Sequence, residues 1–218
     1  MAKIRVDRAR SVLLVVDMQP DFMPGGALPT QAGDAVVAPT RALMEADLFG
    51  LYVATQDWHP PGHISFASSH PGHEPFETIE LYGELQTLWP DHCVQDTPGA
   101  ELHGDLPMAM ADVIIRKATN PAVDSYSAFR NNVGPDGQRP PTGLAGYLQE
   151  RGVRDVYLCG LARDFCAKWS TEDAVDAGFN VWLFWDLTSP VDPNSDAKVQ
   201  RDLEQKGVRI ISWEDVVD

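Results

Sequence analysis

Basic residues are scarce in this chain: 17 Lys and Arg stand against 32 Asp and Glu among 218 residues, a formal charge of −15. Nucleic acids and anionic membrane surfaces select for basic patches, so the deficit argues against both as partners. Cysteine is scarcer still. Cys93, Cys159 and Cys166 make an odd set with no C-x2-C pair, which excludes a disulfide framework and favours a reducing, cytoplasmic compartment. Long apolar runs are missing too. After Lys3, Arg5, Arg8 and Arg10 the apolar stretch Val12–Val16 ends at Asp17, too short for the core of a signal peptide, and no window approaches the ~18 apolar residues of a membrane span. H-E-x-x-H, Walker A, G-x-S-x-G and G-x-G-x-x-G are all absent, so zinc-protease, nucleotide and serine-hydrolase readings lose their sharpest support.

What remains is ordinary globular material, 44% hydrophobic and 22% charged. The length fits one domain over residues 1–218 with a core large enough to fold without disulfides or a structural metal. Strand-like runs alternate with helical spacing. Strands are expected at Val12–Val16, Leu51–Thr55, Val113–Arg116, Val156–Cys159, Val181–Trp185 and Val208–Ile211, because short, β-branched apolar runs suit strands buried on both faces. Helices are expected at Asp34–Asp47, with Asp34 as N-cap, and at Thr142–Arg151, Asp164–Ala177 and Asp196–Lys206. The order predicts an α/β fold, three αβα layers around a six-stranded, mainly parallel sheet of Rossmann-like character. Two stretches break the alternation: a His-, Pro- and Gly-rich segment at about 57–107, and a Pro/Gly-rich loop at 131–142. Long irregular stretches inside a compact domain tend to be functional.

In open parallel sheets, ligands bind beyond the carboxyl ends of the strands. The expected strands are followed by Asp17, by Asp57 with His59, by Lys117, by the turn Gly160–Cys166, and by Asp186. A carboxylate, a carboxylate–imidazole pair, an ammonium and a thiol thus converge on one edge. A lone cysteine in a helix is usually a small buried hydrophobe; Cys166, in the first turn of a helix entered from a strand and in company with Asp17 and Lys117, reads instead as a nucleophile. Lys117 ends an apolar strand, where burial demands a carboxylate partner that Asp17 could supply. Five of six histidines lie between His59 and His92. Asp57 and His59 share a side of an extended segment, and His92 could complete three ligands for Zn²⁺ or Fe²⁺ with waters. Cys159 reads as core, and Cys93 as packing. Trp58, Phe66 and Trp89 bracket the His-rich segment, with Phe22 and Tyr126 near the other reactive stretches, a setting for a flat heteroaromatic ligand.

These motifs resemble the nicotinamidase/pyrazinamidase branch of the isochorismatase-like cysteine hydrolase superfamily. The residues that carry the likeness are VVDMQPDF at 15–22, QDWHPPGHISF at 56–66, LWPDHCVQDTPGAEL at 88–102, RK at 116–117, SYSAF at 125–129 and GLARDFC at 160–166. The resemblance implies a Cys166–Asp17–Lys117 triad. It implies a divalent metal, Zn²⁺ or Fe²⁺ with Mn²⁺ as a further option, on Asp57, His59 and His92, and an aromatic pocket of Phe22, Trp89 and Tyr126. The oxyanion hole would be the Ala162 and Cys166 N–H groups, with a cis bond between Leu161 and Ala162. Hydrolysis of nicotinamide to nicotinate and ammonia follows as the expected activity, with pyrazinamide as a second substrate and a place in NAD salvage. The expected partner is this small molecule; homo-oligomerisation is left open. Arg163 and Ala167 stand where the family commonly has small or β-branched residues, so Arg163 could reshape the pocket rim or an oligomer contact; His63 is left out of the ligand set. Alternatives are an N-carbamoyl or ureidoacrylate amidohydrolase on the same triad, and a non-catalytic His-rich metal-binding protein.

Overall fold

Ser11–Val16 is buried at every residue, as a strand must be when helices or loops cover both faces of its sheet. In the computed structural model, which describes residues 3–217, it is the inner strand β1 of a six-stranded parallel sheet. The others are β2 (Leu51–Asp57), β3 (Val113–Lys117), β4 (Asp155–Leu161), β5 (Asn180–Ser189) and β6 (Arg209–Ile211). Their spatial order is β3-β2-β1-β4-β5-β6, all neighbours parallel. Residues 1, 2 and 218 of the expected domain lie outside the described residues. Along β1 and β4 the side chains alternate between two cores. Leu13, Val15, Tyr157 and Cys159 face one with helix α1 (Val37–Glu45), while Val12, Leu14, Val156 and Leu158 face the other with α2 (Leu144–Glu150), α3 (Lys168–Asp176) and α4 (Asp196–Lys206). The 57–107 segment helps to cover the α1 face through Trp89, Cys93, Ala100 and Leu106. Among the described residues no helix is long and apolar enough to cross a membrane.

All six expected strands are present, and four differences are informative. Strand β5 runs four residues beyond Trp185, so Asp186 lies within it, exposed, accepting the Trp213 N–H at 3.0 Å rather than reaching the site edge. Asp34 sits inside a 3₁₀ turn (Gly33–Val36) and does not cap α1. The helix expected from Asp164 opens with a π-turn, Arg163–Ala167, so Cys166 is not in the first turn of a regular α-helix. The 57–107 segment contains an antiparallel hairpin, Thr78–Leu81 with Glu84–Thr87. Its two-residue turn, Tyr82-Gly83, has φ of 55° and 83°, the left-handed pair that suits the strand twist of a tight hairpin.

The chain builds β1, β2 and β3 outward in one direction and then returns to place β4 beside β1. That reversal opens a crevice between the carboxyl ends of β1 and β4, where Asp17 and the turn carrying Cys166 leave the sheet. Gly160 keeps it closed at its base. It pairs with Val16, has φ +111°, and a Cβ there would collide with the Val16 carbonyl oxygen. Gly178, at φ +90° after α3, has open space instead. Gly160→Ala is therefore expected to cost more than the ~1–2 kcal/mol of left-handed strain alone, and Gly178→Ala only about that strain; urea denaturation of the two variants checks the order.

Candidate active site

Asp17 leaves β1 at φ +45°, a left-handed conformation uncommon for a residue with a side chain. Thr55 of β2 holds it twice: the Asp17 N–H donates to Thr55 Oγ1 at 3.1 Å, and the Thr55 hydroxyl donates to Asp17 Oδ1 at 2.6 Å. Lys117 and Asp57 are register partners at the ends of β3 and β2. The Lys117 side chain crosses over β2, so that its Nζ lies 2.6 Å from Asp57 Oδ1 and 2.9 Å from Asp17 Oδ2. It also donates to the Ser125 carbonyl at 3.0 Å and lies 3.6 Å from Cys166 Sγ. A carboxylate oxygen of each Asp and the Cys166 sulfur fall within 4.8 Å of one another. Asp17 and Lys117 are 0% and 1% exposed; the three residues expected as a triad lie together here, with Asp57 beside them.

The electrostatics of this cluster follow from burial. Desolvation opposes the charge on Lys117, but Asp17 and Asp57 outweigh it and hold the ammonium well above the ordinary lysine range. Burial likewise disfavours the Asp57 carboxylate, and Lys117, followed by His59 and His92, pulls it below the usual range. Asp17 comes out the other way: burial raises its carboxyl, and Lys117 offsets only part of that. Burial also pushes the Cys166 thiol well above its ordinary range, beyond what Lys117 draws back. Burial thus works against charge on both the Cys166 thiol and the Asp17 carboxyl that faces it.

Asp57, His59 and His92 form a second cluster with ligand atoms within 4.8 Å. The ring nitrogens sort themselves. His92 Nδ1 is 2.8 Å from the Pro90 carbonyl, which leaves Nε2 turned toward Asp57 Oδ2 at 3.7 Å. His59 Nε2 faces Asp124 Oδ1 at 3.5 Å, and its buried Nδ1 has no hydrogen-bond partner. Imidazoles whose far nitrogens are fixed by a carbonyl and a carboxylate present their free lone pairs as metal-ligating histidines do. Charge points the same way. Lys117 lies between the buried carboxylates of Asp17 and Asp57, while a third buried carboxylate, Asp124, faces His59; although burial opposes it, Asp57 and Asp124 raise the pKa of His59. The donor set fits a divalent cation. His63 does not join it as a free ligand, because its nitrogens meet Ser65 Oγ at 2.8 Å and the Asn120 carbonyl at 2.9 Å. His70 and His73 are engaged elsewhere, with Ile64 and Glu77.

Both clusters open into one cavity, whose lining includes Phe22, Trp89, Tyr126, Ala162 and Cys166 with Asp57, His59 and His92. Trp89 meets Phe165 edge to face at 4.7 Å and Phe22 meets His92 at 5.6 Å. The bond between Leu161 and Ala162 is cis. Arg163 is absent from this lining and is buried. It stacks on Trp185 at 4.1 Å and bonds Thr188 Oγ1 at 2.8 Å and Asp196 at 2.7 Å, so it shapes neither the rim nor an exposed contact. Asp164 accepts the Val191 and Asp192 N–H groups at 2.9 and 2.8 Å. Arg163 thus ties the π-turn of Cys166 to the end of β5 and the start of α4, and Asp164 ties it to the segment after β5. Cys93 and Cys159 pack in the α1-side core. Sequence reading missed Thr55, Asp124, Phe165, Leu28 and Val191; of these only Phe165, one residue before the cysteine, carried a positional signal.

A thiol, a carboxylate and an ammonium at the switch point of a parallel sheet, beside a histidine–carboxylate cluster, define the class as α/β proteins of the isochorismatase-like cysteine-hydrolase kind. The family model described as Isochorismatase domain matches residues 11–215, and the chain belongs to that family. It is 42% identical over 219 residues, covering all of both chains, to the nicotinamidase of Acinetobacter baylyi. The crystal structure of PnC1 from L. infantum in complex with nicotinate superposes with a TM-score of 0.86 at 37% identity, covering 99% of this chain and 98% of that one. Pyrazinamidase of Pyrococcus horikoshii in complex with zinc superposes at 0.75, also at 37% identity, covering 94% and 99%.

The cluster makes a stability prediction. Lys117→Met strands two buried carboxylates and is expected to cost about 3–5 kcal/mol, read by urea denaturation at pH 7; adding Asp17→Asn in the same chain should recover part of that loss.

Proposed function

We propose that this protein is a nicotinamidase, hydrolysing nicotinamide to nicotinate and ammonia through a thioester on Cys166, with pyrazinamide as a further substrate. The observation that carries the reading is that Cys166, backed by Asp17 and Lys117, lines one aromatic-walled cavity together with the Asp57–His59–His92 cluster. The 42% full-length identity to a nicotinamidase and the nicotinate complex of a similar chain support the substrate. The zinc complex of another supports a divalent metal on Asp57, His59 and His92, zinc before iron or manganese.

Asp17 removes the Cys166 proton as Sγ attacks the carboxamide carbon, so the charge never has to rest on a buried thiolate. The oxyanion that forms accepts hydrogen bonds from the backbone N–H groups of Ala162 and Cys166, each worth roughly 3–4 kcal/mol in such a site. Asp17 returns the proton to the departing nitrogen, the C–N bond breaks, and ammonia leaves a nicotinoyl thioester. Water then attacks the thioester carbon with Asp17 as base; the C–S bond breaks, nicotinate leaves, and Cys166 recovers its proton. Lys117 keeps Asp17 oriented and stabilises negative charge as it passes between carboxylate and sulfur. Phe22, Trp89 and Tyr126 hold the ring flat beside Cys166. A divalent cation held by Asp57, His59 and His92 would supply a Lewis-acid anchor for the pyridine nitrogen.

Cys166→Ala should abolish ammonia release from nicotinamide, and a turnover comparable to the unsubstituted protein would remove Cys166 from the nucleophile role. Chelation should remove the activity and Zn²⁺ restore it. The pH profile follows from Asp17, which must be ionised to take the proton. Because burial raises its pKa, activity should fall as pH drops through a midpoint above the ~3.9 of an ordinary aspartate, read as the acid limb of kcat/KM.

A further inference from the structure

The hairpin Thr78–Leu81/Glu84–Thr87 lies on the surface, with Leu85 81% exposed, yet Gln86 at its centre is only 6% exposed. Its side-chain amide reaches inward. Gln86 Nε2 donates to Asp124 Oδ2 at 3.0 Å and to Tyr126 Oη at 3.0 Å, and Trp89 Nε1 donates to the same hydroxyl at 3.0 Å. Asp124 and Tyr126 line the inner cavity that holds Cys166. They also line a second, outer cavity of about 360 Å³, together with Gln86, Leu81, Asn132 and Trp169. Two side chains from the irregular segment following Lys117 are thus the partition between the cavities, and one amide from a separate element ties them to each other.

We infer that Gln86 is a specificity-determining positioning residue: by bridging Asp124 and Tyr126 it closes the inner cavity against the outer one and so limits the amides admitted to those with a small, unsubstituted ring. The inference rests on the reading that the inner cavity holds the amide. Gln86 touches neither sulfur nor carbonyl carbon and acts through the two residues it joins. Its removal leaves Tyr126 on the single bond from Trp89 and leaves Asp124 on His59 and the Ser125 N–H, and the volume of the outer cavity becomes continuous with the site. A hydrogen-bonded wall excludes bulk more strictly than an apolar one, because displacing it leaves buried polar atoms unpaired.

The test compares kcat/KM for nicotinamide with that for a 5-phenyl-substituted nicotinamide in the full-length, zinc-loaded protein. Gln86→Ala should raise the bulky-to-small ratio by about 10-fold or more, and Gln86→Asn, one methylene short of the bridge, should move it in the same direction. Glu80→Ala, an exposed position on the opposite hairpin strand, should leave the ratio unchanged. A second readout needs no turnover: the ratio of Cys166 alkylation rates by N-benzylmaleimide and by iodoacetamide, followed on the Cys166 peptide by mass spectrometry, should rise in both Gln86 variants. If Gln86→Ala does not fold, Gln86→Asn decides. Ratios within two-fold of the unsubstituted protein in the folded Gln86 variants, or an equal rise in Glu80→Ala, overturn the inference. A protein that hydrolyses neither amide overturns the substrate reading instead, and the alkylation ratio still decides the wall.

Discussion

The ammonium of Lys117, held between the carboxylates of Asp17 and Asp57, ties the ends of three adjacent strands into one electrostatic unit. None of the three groups is stable in that place without the others. A buried lysine alone would lose its proton and either aspartate alone would gain one, because burial penalises the charged form of each. Their sharing is unequal. Asp57 keeps its charge firmly, whereas Asp17 is left with a raised affinity for a proton. That imbalance matters for chemistry, since a carboxylate that holds its charge too well makes a poor base. In the proposed mechanism this leaves Asp57 as the fixed anion and Asp17 as the proton carrier.

The topology determines where this unit can act. Because the strand order reverses between β1 and β4, the group at the end of β1 faces a turn that arrives from elsewhere in the chain, and no other pair of neighbouring inner strands gives that juxtaposition. The backbone bends sharply at the edge: Asp17 and Ala118, which directly follow β1 and β3, both lie at positive φ. Left-handed residues with side chains persist where surroundings over-determine them. Here the two bonds between Asp17 and Thr55 provide that constraint. On the far side of the crevice, Arg163 and Asp164 anchor the Cys166 turn to the end of β5 and to the segment after it. The reacting atoms are therefore set by side-chain bonds at both rims of the crevice as well as by the sheet.

Much of this was legible before any coordinates. Continuous apolar runs announced the strands, and listing what followed each one brought Asp17, Asp57, His59, Lys117 and Cys166 to one edge. Asp186 failed that reasoning because β5 continues past its apolar run, and a strand's polar continuation leaves no mark in composition. The hairpin had a signal, alternation on either side of Tyr82-Gly83, that the surrounding Pro and Gly obscured. Asp124 and Gln86 had none. Each is a single polar residue in an unremarkable setting, and its role exists only because two segments about forty residues apart meet around Tyr126. Arg163 shows the converse: it stood out as unusual beside the cysteine, yet its side chain turns away into Thr188 and Asp196.

The two clusters of the site share Asp57, and this limits how independent they can be. One of its oxygens faces Lys117 at 2.6 Å while the other faces His92 Nε2 at 3.7 Å. A carboxylate fixed from both sides cannot rotate to serve one cluster without leaving the other. Gln19 removes the remaining freedom, because its side chain accepts the Asp57 N–H and donates to the Asp57 carbonyl, both at 2.8 Å. Removing the Asp57 charge would therefore strip the histidines of their nearby carboxylate and release Lys117 from one partner at once. Asp17 and Asp124 do not have this double position: Asp17 answers to Lys117 and Thr55, Asp124 to His59 and Gln86. The two clusters are separable at those two residues, and Asp57 is where they are joined.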